Sequence, residues 1–270
     1  MRVAAGLGLG AVVLGGLRAF WTDGRPVERV CYVIGVVLMV SGVFHLGVFA
    51  VDGGPWEGPV SWRKAVTFGL SFGLTLVTIA WVATFVRLGD RARNVILGVL
   101  AAACAEETAL ATLQSWRHVP SHFNMETSVD TAIARMLAVG GGLLIVTLVA
   151  LTVAAFRDTP ETEPSMRLAV RVGFVALMGA LLSGAAMIAR GVVEEATGHQ
   201  EAAYHVAGAL KPAHAVTMHA ILVLPALAWL LTFTGLPEAR RTRVVALACW
   251  AYAAAAPAVI AVSAARFAAA

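Results

Sequence analysis

VCYVIGVVLMVSGVFHLGVFAV, residues 30–51, contains no Asp, Glu, Lys or Arg and a single histidine, His45. At 1.5 Å per residue this run makes a helix of roughly 33 Å, enough to cross the ~30 Å hydrocarbon layer of a bilayer. In lipid every backbone N–H and C=O must be satisfied within the segment, so the run reads as a transmembrane helix. Outward from it the pattern recurs. Eight spans are expected, at about Val3–Phe20, Val30–Val51, Ala65–Val86, Val95–Trp116, Thr131–Phe156, Leu168–Ala189, Ala213–Thr234 and Val244–Phe267. The first has the basic start and apolar middle of a signal peptide, but no A-x-A-like site follows, and LRAFWTDGR (17–25) is bulky and charged. A retained helix is therefore expected; cleavage would leave seven spans.

Composition agrees with this reading. Hydrophobic residues make up 59% of the 270 and charged residues 13%, about half the charge of a soluble domain. The expectation is an all-α, polytopic transmembrane bundle forming one domain over residues 1–270. Cys31, Cys104 and Cys249 fall on three different apolar runs and form no CxxC pair, which suits buried apolar residues rather than a disulfide framework. The net charge of +4 is spread over short loops, so it reports topology rather than nucleic-acid binding. No P-loop or Rossmann GxGxxG pattern is present.

Alternation of spans sorts the basic residues into two ends. Twelve, among them Arg25, Arg87, Arg93, Arg157 and Arg240, fall at one end; eight, including Arg63, Lys64, Arg117, Arg135 and Lys211, fall at the other. The positive-inside rule places the first end in the cytoplasm and both termini outside, in a bacterial cytoplasmic membrane. All seven histidines, His45, His118, His122, His199, His205, His214 and His219, belong to the second end. Histidine titrates near neutrality and is the commonest metal ligand, so a one-sided cluster marks a candidate site. His45 and His219 each lie six residues from the outer limit of their spans, about 9 Å deep, the level at which two imidazoles could hold a heme or a metal. Gly42 and Gly47 flank His45 and would let a flat macrocycle approach.

His214 shares a helix face with Met218, as a copper site requires, and His122 is a further candidate ligand or proton-handling group. Glu106 and Glu107 sit near the middle of the fourth span, where an ionised carboxylate is expensive and therefore a functional candidate. Glu106 is expected to act as a proton or cation relay, with Arg135 as its partner. Lys64 and Arg117 could hold heme propionates or a lipid phosphate. Trp56 and Trp62 suit the interfacial aromatic belt, Gly69 and Gly73 a close helix contact, and Ser128 or Asp130 the cap of the fifth span. The stretch QSWRHVPSHFNMETSVD (114–130) is expected to form the lid or wall of an outward-facing polar site.

GPWEGPVSWRKAVTFGLSFG (54–73), VPSHFN (119–124) and HAVTMHAILVLP (214–225) together resemble a group of bacterial multi-pass membrane proteins with no assigned activity. That resemblance spans most of the chain and implies a fold and a membrane, not a reaction. His45 and His219 on separate helices give a looser likeness to b-type cytochromes, which implies heme b. The late histidine pair also resembles intramembrane zinc hydrolases of the ceramidase and adiponectin-receptor type. Here the pair is HxxxxH rather than HxxxH, and no aspartate occupies the early or middle spans. The leading expectation is thus a heme- or metal-binding (copper or zinc) membrane oxidoreductase exchanging electrons with a quinone. A zinc-dependent lipid hydrolase and a proton- or solute-coupled transporter are the competing readings.

Overall fold

The computed structural model describes residues 9–206 and 210–269. Nine helices occupy them, and there is no strand among the described residues: α1 (Leu9–Thr22), α2 (Pro26–Asp52), α3 (Trp62–Val82, prolonged by a 3-10 turn at Ala83–Phe85), α4 (Asp90–Trp116), α5 (Ser128–Ala155), α6 (Pro164–Ala196), α7 (Gln200–His205), α8 (Lys211–Leu231) and α9 (Glu238–Ala269). Seven of these, α2 to α6 with α8 and α9, are long and apolar enough to cross a membrane. The all-α polytopic bundle is therefore present. The described part of α1 has 14 residues, and residues 3–8 of the expected first span lie outside the described ones. Phe20 of α1 packs between Trp81 and Trp229, tying this helix to α3 and α8. Several helices outrun the expected spans: α6 begins at Pro164 and continues to Ala196, because charged turns stay helical past the hydrocarbon.

The helices fall into two groups. In the first, α2 lies along α3, and α4 packs on α2, α3 and α5; in the second, α6, α8 and α9 pack on one another. The buried apolar core joins the groups at one end only. It draws Leu76 and Val82 from α3, Leu97 from α4, Leu151 from α5, Phe174 from α6 and Leu224 from α8, all in the half of their helices that ends in the arginine-rich loops. Toward the histidine end a cavity opens between the groups.

The α2–α3 seam follows from glycine. A Cβ at Gly69 would lie 2.7 Å from the Gly42 nitrogen and the Leu38 carbonyl oxygen; one at Gly73 would lie 2.5 Å from the Gly35 carbonyl oxygen. The expected close contact of Gly69 and Gly73 is found. Its partners are Gly35 and Gly42, so Gly42 faces α3 rather than a macrocycle. At the arginine-rich end Glu28 accepts the Arg25 backbone N–H as part of the α2 cap (2.9 Å) and pairs with Arg93 of α4 at 3.1 Å. Arg93 also donates to the carbonyls of Ala83 (2.7 Å) and Val86 (3.0 Å), closing the end of α3.

Candidate functional site

The connection from α4 to α5 is a folded lid. Thr127 caps α5 through a bond from the Asp130 N–H (3.1 Å), one residue before the expected Ser128. Asp130 accepts from Arg117 at 2.5 Å and from Gln114 at 3.0 Å. Arg117 thereby joins α4 to α5 through its Nη1. His118 and Phe123 adopt left-handed backbone, with φ of 53° and 59°, a conformation that needs surrounding contacts to hold it. Those contacts exist at Phe123. Its ring occupies the space above Gly191 of α6, where a Cβ would come within 2.4 Å, and its carbonyl accepts from Gln200 of α7.

Beneath the lid lies a cavity of about 320 Å³, bounded by α3, α4 and α5 on one side and α6 and α8 on the other. Its floor is the buried pair Leu148 and Leu177. Most of its surface is apolar; Ser71 and Thr75 of α3 add hydroxyls, and four ionisable groups from four separate elements interrupt the lining: Glu107 of α4, His122 of the lid, Arg135 of α5 and His214 of α8. Ala138 and Arg135 of α5, with Ala185 and Val192 of α6, line it and are also exposed on the outer surface of the bundle. The cavity is therefore accessible along the α5–α6 edge.

Each of the two histidines is anchored through its Nδ1. Lys64 Nζ donates to Ser121 Oγ at 3.1 Å, so the Ser121 hydroxyl is free to donate to His122 Nδ1 at 2.8 Å. With the Ser121 hydroxyl donating in this way, the His122 proton would reside on Nε2 and the ring would offer the cavity a donor. His214 Nδ1 donates to the Ala180 carbonyl at 2.8 Å, which leaves its Nε2 lone pair as an acceptor. Burial, and then the Lys64 ammonium, push His122 down to about 4. Between pH 6.5, the ordinary histidine value, and about 4 the unfolded chain binds a proton that the folded lid refuses. Stability therefore falls as pH drops through that window, by at most ~1.4 kcal/mol per pH unit. His122→Asn is expected to flatten this part of the pH dependence of the thermal unfolding midpoint in detergent. An unchanged slope would show that His122 is not the group responsible.

Glu107 is 4% exposed, and both Glu107 and Glu106 lie against Gly140: a Cβ there would be 3.0 Å from Glu107 Oε1 and 3.3 Å from Glu106 Oε2. Of the two acids it is Glu107 that lines the cavity; Glu106, the expected relay, is not among the lining residues. Neither carboxylate makes an ion pair among the described residues, and Arg135 is exposed rather than paired with Glu106.

The expected pairing of His45 with His219 is not formed. His45 is 4% exposed and both its nitrogens are engaged: Nδ1 donates to the Ser41 carbonyl at 2.7 Å, and Nε2 accepts from Trp116 Nε1 at 3.0 Å. No lone pair is left for iron, copper or zinc. Trp62 stacks on the same imidazole and donates to Asp52 at 2.6 Å, so it belongs to a buried aromatic cluster rather than to the interfacial belt. Trp56, at 38% exposed, fits that belt. His219 instead lies exposed in a groove between α3 and α8, its Nδ1 donating to the Ala215 carbonyl at 2.6 Å. These two residues do not fit a shared heme or metal. Among the described residues no three His, Cys, Asp or Glu side chains gather at metal-binding spacing. His199 pairs with Glu194 at 3.4 Å, away from the cavity.

Lys64, expected to hold an anion, works from behind His122 instead. Sequence reasoning missed Ser121, the link between them; its adjacency to His122 in SHF was the available signal. It also missed Glu28 and Arg93, whose placement within charged turns resembles ordinary loop residues. No protein-family model, curated protein or solved structure matches this chain.

Proposed function

We propose that this chain is a membrane protein that takes a lipid-like molecule from the bilayer into the cavity between α5 and α6, with the molecule's polar part against Glu107, His122 and His214. The observation that carries this reading is the union of an accessible α5–α6 edge with ionisable groups from four elements on one mostly apolar cavity. Ligand sites of this kind are mostly apolar, with a few convergent polar groups that fix orientation, and intramembrane ionisable residues mark substrate or proton paths. Quinones and lipids both answer the description. The excess of Arg at the opposite end supports an outward-facing cavity in a bacterial cytoplasmic membrane.

A photoreactive diazirine-bearing dodecanol in proteoliposomes tests the reading. Labelled peptides are expected from α5 and α6 around Ala138 and Ala185, and Ala185→Trp, which fills the mouth, is expected to remove most of that labelling. Uniform labelling of lipid-facing helices, unaltered by Ala185→Trp, would overturn the reading.

A further inference from the structure

The charges inside the cavity narrow the ligand further, on the premise that the cavity is a binding site for an amphiphile. Glu107 is almost wholly buried, faces the cavity and has no cationic side chain against it among the described residues. Glu106 lies beside it on the same glycine of α5. Two neighbouring carboxylates in a low-dielectric setting repel each other, and an ionised acid within a bilayer needs a counter-charge.

The side chains that could neutralise Glu107 are otherwise placed. Arg135 stands at the exposed mouth, one and a half turns of α5 before Gly140. Lys64 is hydrogen-bonded to Ser121 behind the His122 ring. His122, pushed down to about 4, is neutral at ordinary pH. His214 spends its one proton on the Ala180 carbonyl.

A second feature of the cavity points the same way. Phe72, Phe68, His122 and Phe123 form a continuous aromatic wall, with successive ring centroids 5.3, 5.8 and 6.3 Å apart, and all four line the cavity. The Phe68–Phe72 pair on α3 is one turn apart, so both rings face the same space. Aromatic faces attract a poorly hydrated cation, and such walls combined with a carboxylate are suited to alkylated ammonium groups. An alkylammonium also loses less hydration on burial than a primary ammonium, which favours it in a cavity that is mostly apolar.

We infer that the cavity binds an amphiphile whose polar head carries an alkylated ammonium, seated between Glu107 and the aromatic wall, with its hydrophobic body leaving between α5 and α6. Such a head can belong to a simple cationic amphiphile or to a zwitterionic lipid. In the second case the phosphate would lie outward of the ammonium, toward Arg135.

Three dodecyl probes separate these possibilities in displacement of the photoreactive dodecanol: dodecanol itself, dodecyltrimethylammonium and dodecylphosphocholine. Wild-type protein is expected to bind dodecyltrimethylammonium roughly tenfold more tightly than dodecanol. Glu107→Gln, nearly the same shape, is expected to reduce that preference to about twofold or less while dodecanol labelling persists; Glu107→Asp should retain part of it. Arg135→Gln should weaken dodecylphosphocholine and leave or strengthen dodecyltrimethylammonium if the source is a phospholipid, and should affect the two alike if it is a simple cation. A wild-type cavity that holds dodecanol and the cation equally, or a preference unchanged in Glu107→Gln, overturns this inference alone. Absence of cavity labelling by every probe removes the binding reading beneath it as well.

Discussion

Arg93→Met is expected to destabilise the folded bundle by about 3–5 kcal/mol, the usual consequence of leaving one charge of a buried pair without its partner. Arg93 is 2% exposed and Glu28 1%. The guanidinium meets Glu28 of α2 and two carbonyls at the end of α3, so one side chain from α4 fastens three elements. With Met in its place, Glu28 keeps its bond from the Arg25 N–H and the longer, half-exposed Arg25 ion pair at 3.5 Å, but loses its closer, buried counter-ion, and the Ala83 and Val86 carbonyls lose a buried donor. The double variant Glu28→Gln/Arg93→Met removes the stranded charge and keeps an oxygen for the α2 cap. It should recover a substantial part of the loss, whereas Arg91→Met, at an exposed position two residues earlier, should stay within about 0.5 kcal/mol of the parent. Thermal or denaturant unfolding of the four proteins in one detergent decides the matter. Equal midpoints for Arg93→Met and Arg91→Met would show that the pair contributes nothing.

That pair also marks where the sequence ceases to be legible. Long apolar runs announce transmembrane helices because the bilayer leaves few alternatives, and alternation alone puts all seven histidines at one end. Contacts between elements distant along the chain carry no such signature. His45 looks like a ligand in sequence because an imidazole in a span needs a reason; the reason is Trp116, 71 residues away, which no local pattern reveals. Glu106 and Glu107 are indistinguishable in sequence, being adjacent and about 100° apart on α4; Gly140 of α5 brings both to the next helix, and only Glu107 turns into the cavity. Arg93 looks like one of many basic loop residues until α4 is seen to begin at Asp90 and bury it. By contrast His122, Arg135 and His214 were separable from the sequence, since each is polar and close to the histidine end, and the cavity unites them. The boundary follows a physical line. Solvent preference acts on each residue singly and can be read along the chain, while satisfaction of hydrogen bonds is decided between helices.

Gly73→Leu should have the other large effect, an outright loss of the folded protein. In most cores an added methylene is absorbed when a side chain changes rotamer, at a cost of about 1–3 kcal/mol. Here the obstacle is backbone. A Cβ at position 73 meets the Gly35 carbonyl oxygen at 2.5 Å and the Met39 nitrogen at 2.9 Å, and neither can rotate away. The α2 and α3 axes must separate, which pulls Gly69 from Gly42 one turn away and opens the seam along its length. In a bilayer such a gap is filled by lipid tails without a hydrophobic penalty to drive reclosure, so the loss is not repaired by collapse. Because α3 also carries Phe68, Phe72 and Lys64, displacement of this helix should disturb the cavity wall and the Lys64–Ser121–His122 chain together. Gly47→Leu is the matched control: no heavy atom lies within 4 Å of a Cβ there, and a leucine facing lipid should leave the protein monodisperse on size-exclusion chromatography. If Gly73→Leu elutes and unfolds like Gly47→Leu, the two helices are not held by close backbone approach, and the glycines at 35, 42, 69 and 73 need another explanation.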